Sequence, residues 1–347
     1  MLLSIIIPTH NEVRNIKKAI QSCLNQKRID TNQVEIIIAD GNSTDGTQEV
    51  VKSMMIGNQI KLILNQFKYM PHGFNMGLTI ASGKYIMVMS GHSILEKDYI
   101  SNALNSIIKY DVECVSGRMD TIQENYIGKI IGISQSTFFG VGNSTFRINK
   151  DEGKYVDTGV FGFYKSKVFL QIGGMDEELI KNQDDEFNFR LIQNGGKIWF
   201  DPSIKSKYFS RSTFFKLFKQ YFYYGFYKVR VFQKRRGVGS IRQLIPAFFV
   251  ITLLVSILLK VLTNNSAYFI LFFGVYIFMN FIFSSISIKD RNENYLSIPF
   301  LQLSYLILHF SYGSGFVLGL IYFMGMWRKV RIMDDNFDKV YFEKNNL

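Results

Sequence analysis

"IIIADGNSTDGT", residues 36–47, decides the fold. Its isoleucines extend an apolar run from Val34 to Ala39, which reads as a short buried strand. The run stops at Asp40. A cluster of Gly, Asn, Ser, Thr and Asp then marks a turn, and Thr47–Met55 takes up a helical pattern. Ser43, Thr44 and Asp45 are candidate helix caps. Alone, the stretch is only a turn. Its weight comes from "IIIPTHNE" (5–12), an earlier apolar run that opens into a polar loop in the same way.

Working outward, Leu2–Ile7, Ile60–Leu64 and Tyr85–Met89 read as further strands. Val13, Ile16, Ile20 and Leu24 line one helical face, and Phe74–Ala81 reads as another helix. The alternation predicts βαβ units and a mostly parallel sheet covered on both faces, an α/β fold. "MLLSIIIPTHNE" lacks a basic leader and a cleavage site, so it reads as a first strand and not a signal peptide.

Of the 347 residues, 47% are hydrophobic, including 32 Phe and 19 Tyr, and the excess lies beyond Leu244. The net charge of +12 is equally uneven. Residues 205–242 carry eleven Lys and Arg and no Asp or Glu, which leaves a net +1 elsewhere. Charge placed just before apolar segments suits anionic lipid headgroups better than nucleic acid, so no nucleic-acid partner is expected. The two cysteines, Cys23 and Cys114, lack metal-ligand spacing and read as buried thiols.

Three apolar stretches follow. Leu244–Leu262 and Ser266–Ile288 are long enough to span a bilayer and are joined by the polar turn "TNNS" (263–266). Ile298–Met326 has no Asp, Glu, Lys or Arg. If it crosses once, "WRKVR" (327–331) lies outside, against the positive-inside tendency. The reading therefore leans to an interfacial segment or one that dips in and returns near Tyr312-Gly313-Ser314-Gly315, with a third span as the alternative. "FFKLFKQYFYYGFYKVRVFQKRR" (214–236) mixes ten aromatics with seven basic residues and suits a helix in the headgroup layer. The expected organisation is a catalytic domain over 1–212, an interfacial helix over 213–242, a membrane region over 243–330 and a polar tail over 331–347.

Three segments fall at carboxyl ends of predicted strands: "PTHNE" (8–12), "ADGNSTDGT" (39–47) and "SGHS" (90–93). In an open parallel sheet those ends share the ligand crevice. Asp40 can accept hydrogen bonds from a base or a ribose. Downstream, "NQDDEFNFRLIQNGG" (182–196) reads as a helix with Phe187 and Leu191 inward and Asp184, Asp185 and Glu186 in its first turn. Compensation of the helix dipole explains some of that acidity. A carboxylate there is also placed to act as a general base. His10 belongs to the first loop. His72 is either a phosphate contact or a surface residue. His309 either meets lipid headgroups or bonds a nearby carbonyl.

"SIIIPTHNE", "IIIADGNSTDGT", "GFNMGLTIASGKYI", "GGMDEEL" and "QDDEFNFRLIQNGG" together resemble family 2 glycosyltransferases of the GT-A fold. Within that family "NQDDEFNFRL" and "QYFYYGFYKVRVFQK" look most like the succinoglycan-biosynthesis ExoA-like group. The resemblance covers roughly residues 1–245. It implies a Rossmann-like, mostly parallel sheet, cytoplasmic and attached to the inner or plasma membrane by C-terminal helices. It implies inverting transfer of one sugar from a nucleotide-diphospho-sugar, expected to be a UDP-sugar, to a lipid-linked glycan acceptor in surface or exopolysaccharide synthesis. Carried over by position, Pro8, Thr9, Asn11, Glu12, Asp40, Asn75, Ser90 and Gly91 bind the donor. Asp184 is the base, supported by Gln183 and Asp185.

"SGHS" occupies the family's Asp-x-Asp position, where carboxylates hold Mn²⁺ or Mg²⁺ on the donor diphosphate. Ser90 replaces the first acid, and His92 matches the ExoA-like Asp-x-His as a metal ligand. The other reading of His92 is a phosphate hydrogen bond or a packed crevice residue. Gln183 likewise replaces the usual Glu. Two other functions compete. A processive polysaccharide synthase usually carries Gln-x-x-Arg-Trp where this chain has "KQYFYYGF". A non-catalytic nucleotide-sugar-binding scaffold is suggested by Ser90 and Gln183 and opposed by the intact Asp40 and Asp184.

Overall fold

Runs of β-branched residues build the first half of the sheet. β1 (Leu3–Thr9) pairs in parallel with β2 (Val34–Asp40), with Ile5 opposite Ile36 and Thr9 opposite Asp40. β3 (Ile60–Leu64) adds outside β2, and β4 (Tyr85–Val88) adds on the other side of β1. The computed structural model describes residues 1–326 apart from 56, 124, 143–144, 149–151, 210–211 and 239–240. The predicted polar tail over 331–347 and "WRKVR" lie outside the described residues.

The chain divides into two compact units, one containing Met1–Asp120 and Asn149–Phe209, the other formed by Thr121–Ile148 with Ser210–Val330. In the first unit both faces of β1 are covered. Ile5 and Ile7 pack with Ile16, Ala19, Ile20 and Cys23 of the helix Ile16–Leu24, while Ile6 packs with Phe74 and Leu78 of the helix Met70–Ile80. Each Ile, Leu or Phe side chain among them contributes about 1.5–3 kcal/mol when taken from water. The second helix starts four residues earlier than predicted. Pro71 sits in its first turn, where a missing N–H costs nothing.

Beyond β4 the sheet turns antiparallel. β5 (Ser93–Leu95), β6 (Cys114–Ile122), β7 (Lys154–Tyr155), β8 (Phe163–Lys165) and β9 (Ile198–Phe209) complete it. The order is β3-β2-β1-β4-β8-β6-β9-β5, with β7 on β9. The parallel half matches the predicted strands. The antiparallel half was not legible, because its strands are very short or carry polar residues at buried positions, such as Ser116 and Ser206. Burial pushes the Cys23 thiol up to about 12 and the Cys114 thiol higher still, so both are inert, as buried thiols should be.

The second unit is helical. Three stretches are long and apolar enough to cross a membrane: Ile241–Thr263, Ala267–Lys289 and Tyr295–Tyr322, with mean hydropathies of 2.5, 2.1 and 1.4. The third is one unbroken helix from Ile298 to Tyr322. The predicted return near Tyr312–Gly315 does not occur. Its glycines serve close packing instead. A Cβ on Gly315 would collide with the backbone of Phe222, and one on Gly225 with the backbone of Tyr312. The basic-aromatic helix Phe214–Arg235 therefore lies directly along this third helix. Lys228 and Arg230 of this helix are buried. His309 donates from Nε2 to the Phe139 carbonyl (2.7 Å) and meets the Tyr276 hydroxyl at Nδ1 (3.0 Å), so it bonds a neighbouring carbonyl.

Candidate active site

The loop after β1 and the turn after β2 lock together through side chains. The backbone N–H of Asn11 donates to Ser43 Oγ (2.8 Å), and Asn11 Oδ1 accepts from the Thr44 N–H (2.9 Å). The Glu12 N–H donates to Thr47 Oγ1 (2.8 Å), and the Val13 N–H to Asp45 Oδ2 (3.1 Å). Desolvation raises the Asp45 carboxyl, but hydrogen bonds from Thr47 and from the Val13 and Thr47 N–H groups outweigh it and hold the group below its ordinary value. Asn11 takes the left-handed conformation (φ 56°) that this clasp requires.

Asp40 is 1% exposed and accepts from the Ser43 N–H (2.9 Å), Ser43 Oγ (2.6 Å) and Gln48 Nε2 (2.7 Å). A carboxylate has about four acceptor positions, so three are already used. Asp40 thus holds the turn that follows β2.

His92 stands in the turn between β4 and β5. Its Nδ1 lies 2.6 Å from Glu12 Oε1, and Ser90 Oγ lies 3.0 and 3.1 Å from the two ring nitrogens. Tyr208 of β9 supports the ring edge-on, with centroids 4.9 Å apart. Gly91 is required here, because a Cβ would lie 2.8 Å from Thr9 Oγ1 and 3.2 Å from Glu12 Cγ. Thr9 Oγ1 is buried with no hydrogen-bond partner among the described residues. Thr9, Glu12, Ser90, Gly91 and His92 are therefore brought together.

Asn75 belongs to a second constellation. Its Nδ2 donates to the Met175 carbonyl (2.8 Å) and to Glu177 Oε1 (2.9 Å), and its Oδ1 accepts from the Met175 N–H (2.8 Å). That amide is occupied in tying the Met175–Glu177 loop to the helix Met70–Ile80. The same helix approaches the end of β1 at Gly73, where a Cβ would sit 3.3 Å from Pro8 Cβ.

The acidic helix runs Gln183–Gln193. Asp184 is exposed at its first turn, with Asp185 half-buried beside it. Gln183 Nε2 donates to Met70 Sδ (3.2 Å). Glu186 is fully buried and paired with Arg190, at 3.2 Å to Nε and 3.1 Å to Nη2. Arg190 also donates to the carbonyls of Ile172 and Gly174. Burial first, then Cys114 and the Asp184 carboxylate, holds the Tyr164 hydroxyl well above its ordinary pKa. Asp184 thus stands on a helix held by a buried ion pair. The sequence reading missed Glu177, Tyr208 and the Glu186–Arg190 pair, of which only the last has a signal, its i,i+4 spacing.

Residues 4–173 match the model of glycosyl transferase family 2. A Methanococcus voltae protein, dolichyl N-acetyl-alpha-D-glucosaminyl phosphate 3-beta-D-2,3-diacetamido-2,3-dideoxy-beta-D-glucuronosyltransferase, is 32% identical over 92% of this chain and 97% of its own length. The chain belongs to glycosyl transferase family 2. It is a glycosyltransferase, similar to others that act on lipid-linked sugars. The succinoglycan biosynthesis protein ExoA of Rhizobium meliloti is 26% identical over 70% of this chain and 73% of its own. The crystal structure of S. aureus TarS residues 1–349 in complex with UDP-GlcNAc superimposes with a TM-score of 0.51 over 94% of this chain and 92% of that one. At 16% identity that likeness shows the GT-A fold.

Proposed function

We propose that this chain moves one sugar, with inversion, from a UDP-sugar to a lipid-linked glycan acceptor, at the cytoplasmic side of a plasma or inner membrane, in surface or exopolysaccharide synthesis. One observation carries the chemistry: an exposed Asp184 on a helix anchored by a buried ion pair. Asp184 takes the proton of an acceptor hydroxyl as that oxygen attacks the anomeric carbon. The bond from that carbon to the donor diphosphate breaks, and the nucleoside diphosphate leaves with the electron pair. Attack in line with the leaving group inverts the anomeric centre. The M. voltae relative, whose name includes both a lipid phosphate acceptor and a beta linkage, supports this reading. So do the three apolar helices on the same chain. The absent Arg-Trp disfavours a processive synthase.

The donor side follows from the first constellation. Pro8, Thr9, Asn11, Glu12 and Asp40 line the nucleotide crevice, with Ser90 and Gly91 toward the phosphates. Asn75 acts through the Met175–Glu177 loop that it holds. Gln183 and Asp185 flank the base.

Family 2 enzymes of the GT-A fold commonly use a divalent cation. Among the described residues no group of three or more His, Cys, Asp or Glu could hold a metal ion. A cation that keeps several waters and binds through one or two side chains plus substrate phosphates needs no such group. The Glu12–His92 contact fits that role, because a ligating imidazole usually gives its other N–H to a carboxylate. His92 would hold the ion, with Glu12 fixing its ring. When bound, the ion neutralises charge developing on the leaving diphosphate. Glu12→Ala is expected to weaken Mn²⁺ binding in the presence of UDP by about 10–100-fold, read by electron paramagnetic resonance. Activity undiminished by EDTA would sink the cation reading.

A further inference from the structure

The basic-aromatic helix Phe214–Arg235 follows the third apolar helix, Ile298–Tyr322, along its length. Near their starts, Leu217 packs in one cluster with Leu301 and Leu308. Midway, Gly225 meets the backbone of Tyr312, and Gly315 meets that of Phe222. Near their ends, Gln233 donates from Nε2 to the Phe323 carbonyl (2.8 Å), and Arg230 from Nη1 to the Met326 carbonyl (3.4 Å). The two helices therefore run parallel, and one cannot cross a bilayer without the other. Measured along the axis from Gly225, near the middle of the basic helix, Lys228 lies about 4.5 Å away, Arg230 about 7.5 Å and Lys219 about 9 Å. All three would stand inside a hydrocarbon core ~30 Å thick, where Lys and Arg are rare and strongly disfavoured.

The third helix meets the hairpin formed by Ile245–Thr263 and Ala267–Lys289 near its base. A Cβ on Gly313 would strike the Pro246 carbonyl and Val250, both in the first two turns, and His309 lies against Phe249 and Tyr276. From Val250 the first helix runs on about 20 Å to Thr263. Leu254, Leu258, Val261, Leu262, Ile270 and Leu271, in that outer part, are 53–73% exposed. The chain between β6 and β7 also packs on the middle of the third helix. Phe139 stacks on Phe283, with centroids 4.6 Å apart, and its carbonyl accepts from His309. Thr137 bonds the Tyr305 hydroxyl, and Ser134 bonds Ser304. Residues 135–137 are not helical, and Ser136 and Thr137 are partly exposed. Were the third helix to cross, that turn would face hydrocarbon near the bilayer centre, where exposed irregular backbone does not occur.

We infer that the third apolar helix lies along the headgroup layer together with the basic-aromatic helix, that the stretch Asn125–Val141 rests there with them, and that the hairpin alone crosses the bilayer. The surface they form fits an anionic membrane. The third helix turns one apolar stripe outward, Phe300, Leu303, Phe310, Leu318 and Ile321, at helical spacing, which suits the acyl boundary. Phe138, beside Phe139, is 68% exposed and adds to that apolar surface. Lys216, Lys219 and Arg236 are exposed and suit lipid phosphates. Asp290 and Gly325, which flank the third helix, then lie on one side of the membrane, and the hairpin turn at Asn265 lies on the other. This holds whichever sugar the enzyme moves.

Asn265→Cys, Asp290→Cys and Gly325→Cys, made singly in the full chain, test this in right-side-out and inside-out vesicles from expressing cells. All three positions are exposed, a Cβ at Gly325 meets nothing within 4 Å, and the native Cys23 and Cys114 are buried. A membrane-impermeant maleimide should label Asp290→Cys and Gly325→Cys from the same side and Asn265→Cys from the other, each several-fold more than from the opposite side. Gly325→Cys labelled from the side of Asn265→Cys means that the third helix crosses, and overturns the inference. So does Asn265→Cys labelled from the side of Asp290→Cys, because the hairpin then does not cross. Depth is read separately, from nitroxide labels on Phe138→Cys, Leu303→Cys and Phe310→Cys in vesicles of phosphatidylethanolamine and phosphatidylglycerol, by access to oxygen against a nickel chelate. In a crossing helix Leu303 and Phe310 differ in depth by about 10 Å; lying flat, the three labels should agree within about half of that. A larger difference, with Phe138 and Phe310 near the bilayer centre, overturns the inference as well.

Discussion

Asp184→Asn should lower kcat for sugar transfer by about 10²–10⁴-fold, the usual contribution of a positioned general base. The substitution keeps the shape of the side chain and the acceptor at Oδ1, to which the Asp185 N–H donates. What it removes is the ability to take a proton. KM for the donor should hold, because Asp184 belongs to the constellation around Gln183 and Met70, whereas the donor loops are braced by Ser43, Asp45 and Thr47. Steady-state kinetics and titration with UDP separate the two effects. A variant that keeps more than about a tenth of kcat would remove Asp184 from the role, since a base contributes at least tenfold more than that.

Arg190→Ala should be the most damaging substitution for stability. It leaves the fully buried Glu186 without its ion partner and strips donors from the carbonyls of Ile172 and Gly174. Breaking one side of a buried pair typically costs about 3–5 kcal/mol. For a domain of this size, that corresponds to a fall in Tm on the order of ten degrees. Glu186→Gln should cost less, because a neutral amide still accepts from the guanidinium. Thermal unfolding followed by circular dichroism orders the two. A loss for Arg190→Ala no larger than that for Glu186→Gln would show that the carbonyl contacts and the pair are not acting as one anchor. Activity should fall with Arg190→Ala as well, because the loop it holds runs into Met175, the partner of Asn75.

The half of the fold built from Leu3 to Val88 was legible because its strands are short apolar runs and β1, β2 and β3 are each followed by a helix, so the signals are local. The antiparallel half was not, because β8 is only three residues long and β7 two, and both are specified by partners distant in sequence. The same division governs the site. "PTHNE", "DGNSTDG" and "SGH" could be placed together from the rule that strand ends share a crevice, and Glu12, Gly91 and His92 do meet. The roles of Asp40 and Asn75 were less legible. A sequence shows that a carboxylate or an amide is present. It does not show that neighbours 3 to 8 residues away, or 100, already fill its hydrogen bonds. The third apolar helix misled for a related reason. Glycines that usually mark a turn were there to admit the backbone of another helix.

The Asn75 bridge has a consequence for how the enzyme is made. Its partners are separated by 100 residues, so it closes only after the ribosome has delivered more than half of the chain. The four parallel strands and their helices are complete well before that and can assemble as they emerge, since domains form progressively during synthesis. The loops proposed to bind the nucleotide are then in place while the segment bearing Asp184 is still being translated. A nascent chain with His92 but not Met175 clear of the ribosome should therefore hold the proposed donor pocket without the proposed base, and sugar transfer becomes possible only when the last contacts close.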